Sequence, residues 1–207
     1  GTWSLGGLIT DRTYESAPGQ PAAYNRIGGV DFVWRPQSEM RVRGQVLGSV
    51  TSDPRNARDV PDNDSAVLLD YNWRDPKWNF AGGVERVGKG FRADNGFFSQ
   101  AGYVNVYHEF QRKFTEIGPF IEISPFLNVG RKEDEEGRLL YQQNIPGVFM
   151  SAAKNTNIGI EIRQNVKVRF RNAGDALKRD EFFMFVEYAP GTWLSPPCTH
   201  TQVPSRR

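Results

Sequence analysis

The chain lacks any run of about 18 apolar residues, so it contains no transmembrane helix. It has one cysteine and two histidines, which excludes a disulfide framework and a conventional Cys/His zinc site. An excess of one charge is missing too, because 26 Lys and Arg stand against 24 Asp and Glu with the signs interleaved. This balance gives no electrostatic argument for a nucleic-acid partner. A membrane stays open as an environment, because a spanning β-strand alternates and needs no long apolar run.

The two ends of the sequence differ from what an intact, uniformly folded chain would show. The first residues, Gly1 to Leu5, fall inside an alternating pattern and include no initiator Met, basic leader or apolar signal core. We therefore expect a piece of a longer protein. Residues 195–207 contain three prolines, the only cysteine and no periodicity. They predict an unstructured tail, with the folded segment over residues 1–194.

Apolar and polar residues alternate in segment after segment, which places the apolar ones on one face of a strand. The clearest example is the segment 40–51. One face of the predicted strand carries Met40, Val42, Gly44, Val46, Gly48 and Val50, and the other face carries Arg41, Arg43, Gln45, Leu47, Ser49 and Thr51. The pattern recurs over 30–35, 67–74, 78–85 and 158–170, with a change of phase near Gln164. We predict an all-β fold of about ten strands, longer than the five or six residues usual in soluble proteins and long enough for the nine to eleven of a spanning strand.

The predicted connections between strands alternate in length. Short turns are expected at 35–38, 74–77, 111–114 and 153–156, and long polar loops at 12–23, 52–65, 88–100, 131–138 and 171–180. Consecutive antiparallel strands of an up-and-down barrel produce this asymmetry, and outer-membrane barrels show it with short periplasmic turns and long external loops. The pattern favours an antiparallel up-and-down β-barrel of the transmembrane type, and we expect this chain to be a fragment of a larger barrel.

Large aromatic residues fall near the short turns. Trp34, Trp73, Trp78 and Phe114 lie within a few residues of a predicted turn, and Trp193 ends a strand that runs to the same side. Amphipathic rings are most stable where acyl chains meet head groups. The positions therefore indicate an interfacial aromatic girdle.

Alternation alone also fits a soluble, lipocalin-like ligand-binding β-barrel with its apolar face inside. The pattern does not say which face points inward. Pro119, Pro125 and Pro146 fall inside proposed strands, where a proline removes a ladder hydrogen bond unless it lies at a bulge or an edge. Strand length, loop asymmetry and tryptophan position favour the membrane interpretation, and the soluble barrel stays as the alternative.

Residues for catalysis or metal binding are sparse. His108 next to Glu109 resembles an acid/base pair, yet a lone histidine on a strand is usually solvated or hydrogen bonded. The acidic runs Asp59, Asp62 and Asp64, and Glu133 to Glu136, resemble calcium ligands in composition, but Asp62-Asn63-Asp64 lacks the glycine and distal glutamate of an EF-hand loop. Solvated external loops are favoured, and weak cation binding stays as the alternative. We expect no enzyme activity, no cofactor and no metal site.

Charged residues on the polar rows would line the lumen of a barrel. The candidates for contact with a solute are Arg41, Arg43, Asp70, Glu85, Glu161 and Arg163, with Arg169 as a further lumen-facing charge. Their mixed signs suit either a conducting channel or an ion-pair network that plugs the barrel.

Three segments carry a resemblance to a known family: Tyr24 to Phe32, Gly44 to Ser49 and, most specifically, Gly90 to Phe97. Over residues 1–194 the chain resembles the C-terminal barrel region of the domain of unknown function 5916 family. In that family a carbohydrate-binding-family-9-like domain precedes a predicted outer-membrane barrel. The resemblance implies a bacterial outer-membrane location, an upstream sugar-binding domain and a carbohydrate role by association only. It supplies no catalytic residues, and the tail after Leu194 departs from a family whose barrels should end on an aromatic strand.

The segment Gly90 to Phe97 falls in a predicted external loop. Arg92 and Asp94 are close enough in sequence to pair, and Gly90 and Gly96 permit a backbone that turns back. We expect this loop to fold inward and constrict the pore, with Arg92 and Asp94 as further candidate site residues. The sequence thus predicts an outer-membrane protein for passage or docking of an extracellular solute or oligosaccharide, with the lipid bilayer as its partner.

Overall fold

The structure is a computed structural model that describes residues 1–16, 18–19, 21–53, 63–96, 100–169, 174–189 and 201–204. None of these residues forms a helix long and apolar enough to span a bilayer. Strands account for most of the chain. They are β1 (Thr2–Tyr14), β2 (Ala23–Gln37), β3 (Met40–Ser52), β4 (Asn63–Arg74), β5 (Trp78–Val87), β6 (Tyr103–Arg112), β7 (Phe114–Ile117), β8 (Phe120–Asp134), β9 (Leu139–Ala152), β10 (Thr156–Val168), β11 (Leu177–Tyr188) and β12 (Thr201–Pro204).

The strands form one antiparallel up-and-down sheet, which confirms the predicted fold class. Neighbours in the sheet follow chain order from β1 to β6 and from β8 to β12, while the short β7 pairs with β8. All strands except β7 and β12 span ten or more residues. The pairing order begins at β1 and ends at β12, so the sheet is open. Closure into a barrel, and the place of this chain in a larger one, stay predictions.

Contacts divide the chain into two compact units. The first comprises Gly1–Tyr71, Gly83–Val106 and Lys132–Arg138. The second comprises Asn72–Gly82, Tyr107–Arg131 and Leu139–Arg207. Each of these units is described by itself below.

In the first unit, the apolar face of β1, β2 and β3 is exposed. Residues opposite each other in an antiparallel pair share a face, and β1 pairs with β2 over thirteen consecutive positions without a shift. The face that holds Trp3, Ile9 and Val30 leaves those side chains 63%, 89% and 64% exposed. The opposite face holds Asn25 and Ser49, which are 0% and 2% exposed. Along these strands the sheet exposes its apolar row and covers part of its polar row.

The same division holds between β10 and β11 in the second unit. Ile162 lies opposite Phe182, and Ile160 lies opposite Met184. Phe182 and Met184 are 47% and 43% exposed. The other face carries Arg163 opposite Glu181. The phase change predicted near Gln164 is a β-bulge in this ladder, between Arg163 and Val166.

One predicted turn was misplaced. Residues 111–114 do not turn, because the chain continues from β6 into β7 and reverses at Gly118 and Pro119. The main-chain N–H of Lys113 donates to the carbonyl oxygen of Lys77 (2.8 Å), so the backbone there stays paired. Gly118 takes a left-handed conformation (φ 58°) that glycine adopts without strain. Pro119 therefore lies in a turn, where the loss of its N–H costs no ladder hydrogen bond.

The other two prolines remain within strands. Pro125 lies in β8 and Pro146 in β9. The β9–β10 register is interrupted between the pairs Glu161–Gly147 and Lys167–Gln142, and Pro146 falls in that interruption. A proline is tolerated at such an irregularity because no ladder bond is required of it.

Two further expectations need correction. The loop predicted over 131–138 is shorter, because β8 continues to Asp134 and β9 begins at Leu139. Within the predicted tail, Thr201–Pro204 form β12 and pair with β11. An outer strand offers unpaired backbone groups, and an extended segment can satisfy them. Trp193 and the rest of the tail lie outside the described residues.

The β4–β5 turn depends on Asp75, which is the basis of our first prediction. Its carboxylate accepts hydrogen bonds from the main-chain N–H groups of Lys77 and Trp78, both at 2.7 Å. These bonds, that from Lys77 foremost, lower the pKa of Asp75 below its ordinary value of 3.8. A carboxylate with a depressed pKa contributes stability above its unfolded pKa and loses that contribution as pH falls through its folded pKa.

We expect Asp75→Ala to lower the thermal midpoint at neutral pH, and the gap to the parent chain to close at about pH 2. Asp75→Asn keeps one acceptor oxygen, so it should lose less at neutral pH, and its gap to the parent chain should also close at low pH, because there the parent carboxylate is protonated. Circular dichroism melts at the two pH values measure both effects. An Asp75→Ala midpoint equal to that of the parent at neutral pH would contradict this account of the turn.

Candidate functional site

The predicted site residues form several separate groups of charged side chains. The first unit holds Arg41, Arg43, Asp70, Glu85, Arg92 and Asp94, and the second holds Glu161 and Arg163. The groups differ in the ion pairs and hydrogen bonds that their charged side chains form, and in how far those side chains remain exposed to solvent.

Arg43 and Asp70 form a close ion pair between β3 and β4. The Nε of Arg43 lies 2.7 Å from Oδ2 of Asp70, whose side chain is 7% exposed. The guanidinium of Arg41 approaches the other carboxylate oxygen at 4.0 Å. Both arginines are about half exposed. One covered carboxylate therefore holds two cations that still face solvent.

Glu85 belongs to a small polar group with Tyr103 and Lys132. The carboxylate of Glu85 hydrogen bonds with the side chain of Tyr103. The ammonium of Lys132 lies 3.5 Å from the centre of the Tyr103 ring and donates to Oε1 of Gln100 at 2.8 Å. This group joins β5, β6 and β8 on one face.

Glu161 and Arg163 lie two residues apart on β10 and pair directly. The Nη2 of Arg163 is 2.7 Å from Oε2 of Glu161, and its Nη1 is 3.6 Å from Glu181 on β11. Arg169, expected to be a lumen charge, instead donates from Nε to the carbonyl oxygen of Leu139 at 2.8 Å and also to that of Gly174. It serves the backbone of the β9–β10 region, because a guanidinium donor can replace a missing ladder partner.

The most elaborate part of the site is the segment 88–96, which we call the inner loop. Hydrogen bonds from the Gly88 N–H to Ser65 O (2.9 Å) and from the Gly102 N–H to Val87 O (2.8 Å) fix the points at which the chain leaves β5 and returns toward β6. Val87 and Phe91 are 0% and 4% exposed, so the loop has an apolar anchor. This packing keeps the inner loop against the sheet rather than in solvent.

Asn25 joins the inner loop to the sheet. Its Nδ2 donates to Thr51 Oγ1 at 2.8 Å and to the carbonyl oxygen of Arg92 at 2.9 Å. Its Oδ1 accepts from the main-chain N–H of Asp94 at 3.0 Å. The main-chain N–H of Arg92 donates to Ser49 Oγ at 3.2 Å. A fully buried amide thus substitutes for a strand partner along the loop backbone.

Arg92 and Asp94 form the predicted pair, and Asp53 extends it. Arg92 donates from Nε to Asp94 and from Nη1 to Asp53, whose Oδ2 lies at 3.0 Å. The hydrogen bond to Asp94 raises the pKa of Arg92 above its ordinary value, so the guanidinium stays charged at any physiological pH. Tyr14 donates from its hydroxyl to Asp94 Oδ2 at 3.1 Å.

A second carboxylate, Asp64, fixes the start of the inner loop. It accepts from the main-chain N–H groups of Ser65 (2.7 Å) and Gly90 (3.1 Å). A side chain at Gly88 would collide with this carboxylate, so glycine at this position leaves the contacts of Asp64 in place. Arg86 lies 3.8 Å from the same carboxylate and 3.2 Å from Glu135.

Sequence reasoning missed several members of this arrangement, namely Tyr14, Asn25, Ser49, Asp53 and Asp64 as a loop anchor. Alternation does place Asn25 and Ser49 on the polar rows. No local pattern, however, distinguishes a polar residue that meets a distant loop from one that meets water. The contacts of Asn25 and Ser49 with the inner loop join residues that are 43 to 69 positions apart.

The structure provides no support for a His108–Glu109 pair. The ring of His108 stacks on Phe110 with centroids 6.2 Å apart, whereas Glu109 accepts from Asn79 at 3.1 Å. Adjacent residues of a strand project from opposite faces. Asp59 and Asp62 lie outside the described residues, and within those described no group of three or more His, Cys, Asp or Glu is placed to hold a metal ion.

No family model, no curated protein and no solved structure matches this chain. Membership of the domain of unknown function 5916 family therefore stays a prediction that rests on the sequence segments named above.

Our second prediction concerns Asn25. Asn25→Leu removes three hydrogen bonds, and each buried group left unpaired costs about 1–3 kcal/mol. We expect the inner loop to detach, so that the Asp94 amide exchanges its hydrogen roughly tenfold faster or more. Hydrogen-exchange mass spectrometry over 88–96 measures the change.

Arg26→Ala is the matched control, because Arg26 follows Asn25 directly but projects from the opposite, exposed face. It should leave exchange over 88–96 as it is in the parent chain. Unchanged protection in Asn25→Leu would show that the inner loop is held by something other than this amide.

Proposed function

We propose that this chain is part of an outer-membrane β-barrel of a bacterium, and that the barrel serves passage or docking of an extracellular solute. One observation carries the proposal. Over β1, β2 and β3 the apolar row is exposed and the polar row carries the buried, hydrogen-bonded side chains. Such a sheet suits a solvent of acyl chains on one side and water on the other.

The soluble alternative requires the opposite burial. A lipocalin-like barrel covers its apolar row and exposes its polar row. Here Leu5 and Ile9 are 81% and 89% exposed, while Asn25 and Asp70 are 0% and 6% exposed. A contiguous apolar surface of this kind is unusual in water unless it is an interaction site. The exposures therefore favour the membrane.

The length of the apolar row also fits a bilayer. On β3 it runs from Met40 to Val50, ten residue steps, or roughly 33 Å at the usual rise per residue of a strand. With a strand tilt of about 40°, this distance corresponds to about 25 Å along the membrane normal, the height of the apolar band of such barrels. Near one end of the row, Arg26 pairs with Asp11 at 3.0 Å on the same face. A charge pair there is expected at the edge of a hydrocarbon layer.

The inner loop supports a gated rather than a wide passage. It covers the polar side chains of Asn25 and Ser49 and places Arg92, Asp53 and Asp94 together. In a barrel, a loop that packs on the polar face narrows the lumen. A carbohydrate solute is favoured only by the family that the sequence resembles.

Our third prediction separates the membrane from the soluble alternative. Val46→Arg places a charge on the exposed apolar face and should impair insertion by about 2–4 kcal/mol near the midplane. Gln45→Arg, on the neighbouring residue and the opposite face, should insert as the parent does. Insertion into lipid vesicles is measured as the protease-protected fraction. The proposal fails if both variants have the same protease-protected fraction. It also fails if Val46→Arg raises the solubility of the chain without lowering that fraction.

Our fourth prediction concerns the inner loop in the full-length protein. Deletion of residues 89–98 should increase single-channel conductance and admit larger solutes, because the packed loop would no longer narrow the lumen. Planar-bilayer recording with polyethylene glycols of graded size measures both quantities. Unaltered conductance and size exclusion would show that the inner loop does not narrow the lumen.

A further inference from the structure

An aromatic cluster covers the apolar face beside the β4–β5 turn in the second unit. Trp78 stacks on Phe80 with centroids 5.2 Å apart, and Phe80 meets the edge of Phe110 at 5.9 Å. Trp78 and Phe110 are 37% and 41% exposed. The opposite face of the same strands carries Asn79, which donates to Glu109 at 3.1 Å. The cluster therefore belongs to the apolar face.

A cation lies directly on this cluster. The guanidinium carbon of Arg112 is 4.2 Å from the centre of the Trp78 ring and 5.4 Å from that of Phe114. The main-chain bond between Lys113 and Lys77 ties this strand to the β4–β5 turn, so two further cationic residues lie directly beside Arg112 and Trp78 in the chain. We call these five residues the turn rim: Lys77, Trp78, Arg112, Lys113 and Phe114.

The turn rim keeps an excess of positive charge. Two carboxylates lie nearby in the chain, that of Asp75 in the β4–β5 turn and that of Glu116 in β7. That of Asp75 accepts the Lys77 and Trp78 amides and the Trp73 indole N–H. It acts on Arg112 through charge alone. Within the part of the chain that the structure describes, Arg112 forms no ion pair.

Arg26, at the apolar face of the first unit, shows the contrasting case. Its guanidinium also lies over an aromatic ring, that of Tyr24, at 4.6 Å. It is neutralised, however, by Asp11 at 3.0 Å. Both arginines stack on an aromatic ring at the end of an apolar row, and of the two only Arg26 has a carboxylate partner among the described residues. Arg112 thus has donors left for an external anion.

We propose that the turn rim binds the phosphate of an anionic phospholipid, with Trp78 and Phe114 at the interface and Arg112 as the phosphate ligand. The inference rests on the proposed membrane location. Aromatic rings settle at the head-group level, which brings the stacked guanidinium to the depth of the phosphates. A guanidinium offers two parallel donors to a phosphate, and Lys77 and Lys113 add charge attraction.

The test uses the whole chain in vesicles of phosphatidylcholine with a share of phosphatidylglycerol, where one lipid or the other carries bromine and quenches tryptophan fluorescence on contact. The parent chain should be quenched more by brominated phosphatidylglycerol. Arg112→Gln should lower the relative association constant for phosphatidylglycerol about fivefold, the effect of one basic residue near an anionic surface. Arg112→Lys should keep most of the preference, and Arg26→Gln, the matched control, should keep all of it.

The outcomes separate the two proposals. No quenching by either brominated lipid means that the chain does not enter the bilayer, and the proposed function fails. Equal quenching of the parent by the two lipids, or an unchanged preference in Arg112→Gln, leaves the membrane location standing and overturns the phospholipid site. Loss of the preference on addition of inorganic phosphate at constant ionic strength would show that the turn rim takes a free anion, and would overturn the lipid assignment as well.

Discussion

Antiparallel backbone pairing in a constant register is the constraint on which the other features depend. Because successive side chains of a strand point to opposite faces, a shift of one residue would exchange every apolar side chain for a polar one. The unbroken register between β1 and β2 keeps Trp3 opposite Trp34 and Leu5 opposite Phe32. The rings of Trp3 and Trp34 stack with centroids 5.2 Å apart. Side-chain contacts on the apolar face therefore reinforce the register that the backbone sets.

The polar face uses the same register for a different purpose. A loop that folds onto a sheet must satisfy its backbone groups there, because buried N–H and C=O groups without partners are costly. The inner loop does so with side chains of the sheet, chiefly the amide of Asn25 and the hydroxyl of Ser49. Arg92 adds an ion pair to Asp53. These bonds hold an irregular segment against the polar face of the sheet.

Much of the sheet could be predicted from local patterns. The alternation from Met40 to Val50 corresponds to β3, and the phase change near Gln164 corresponds to a bulge. The turn near Lys113 was misplaced because its position depends on a bond to Lys77, thirty-six residues earlier in the chain. The pairing of Arg92 with Asp94 was predicted because they lie only two positions apart in the sequence. The role of Asn25 in holding the inner loop was not predicted, since its partners lie far away in the sequence.

The sequence by itself determined the all-β class, the long antiparallel strands and the division of each strand into an apolar and a polar row, because these follow from a period of two residues. Only the tertiary structure decided which row is exposed, where the inner loop packs and that Arg112 stacks on Trp78. Those features depend on contacts between segments that are distant in the chain. Local periodicity is the same whether a valine faces lipid, a dry core or water, so it carries no information about them.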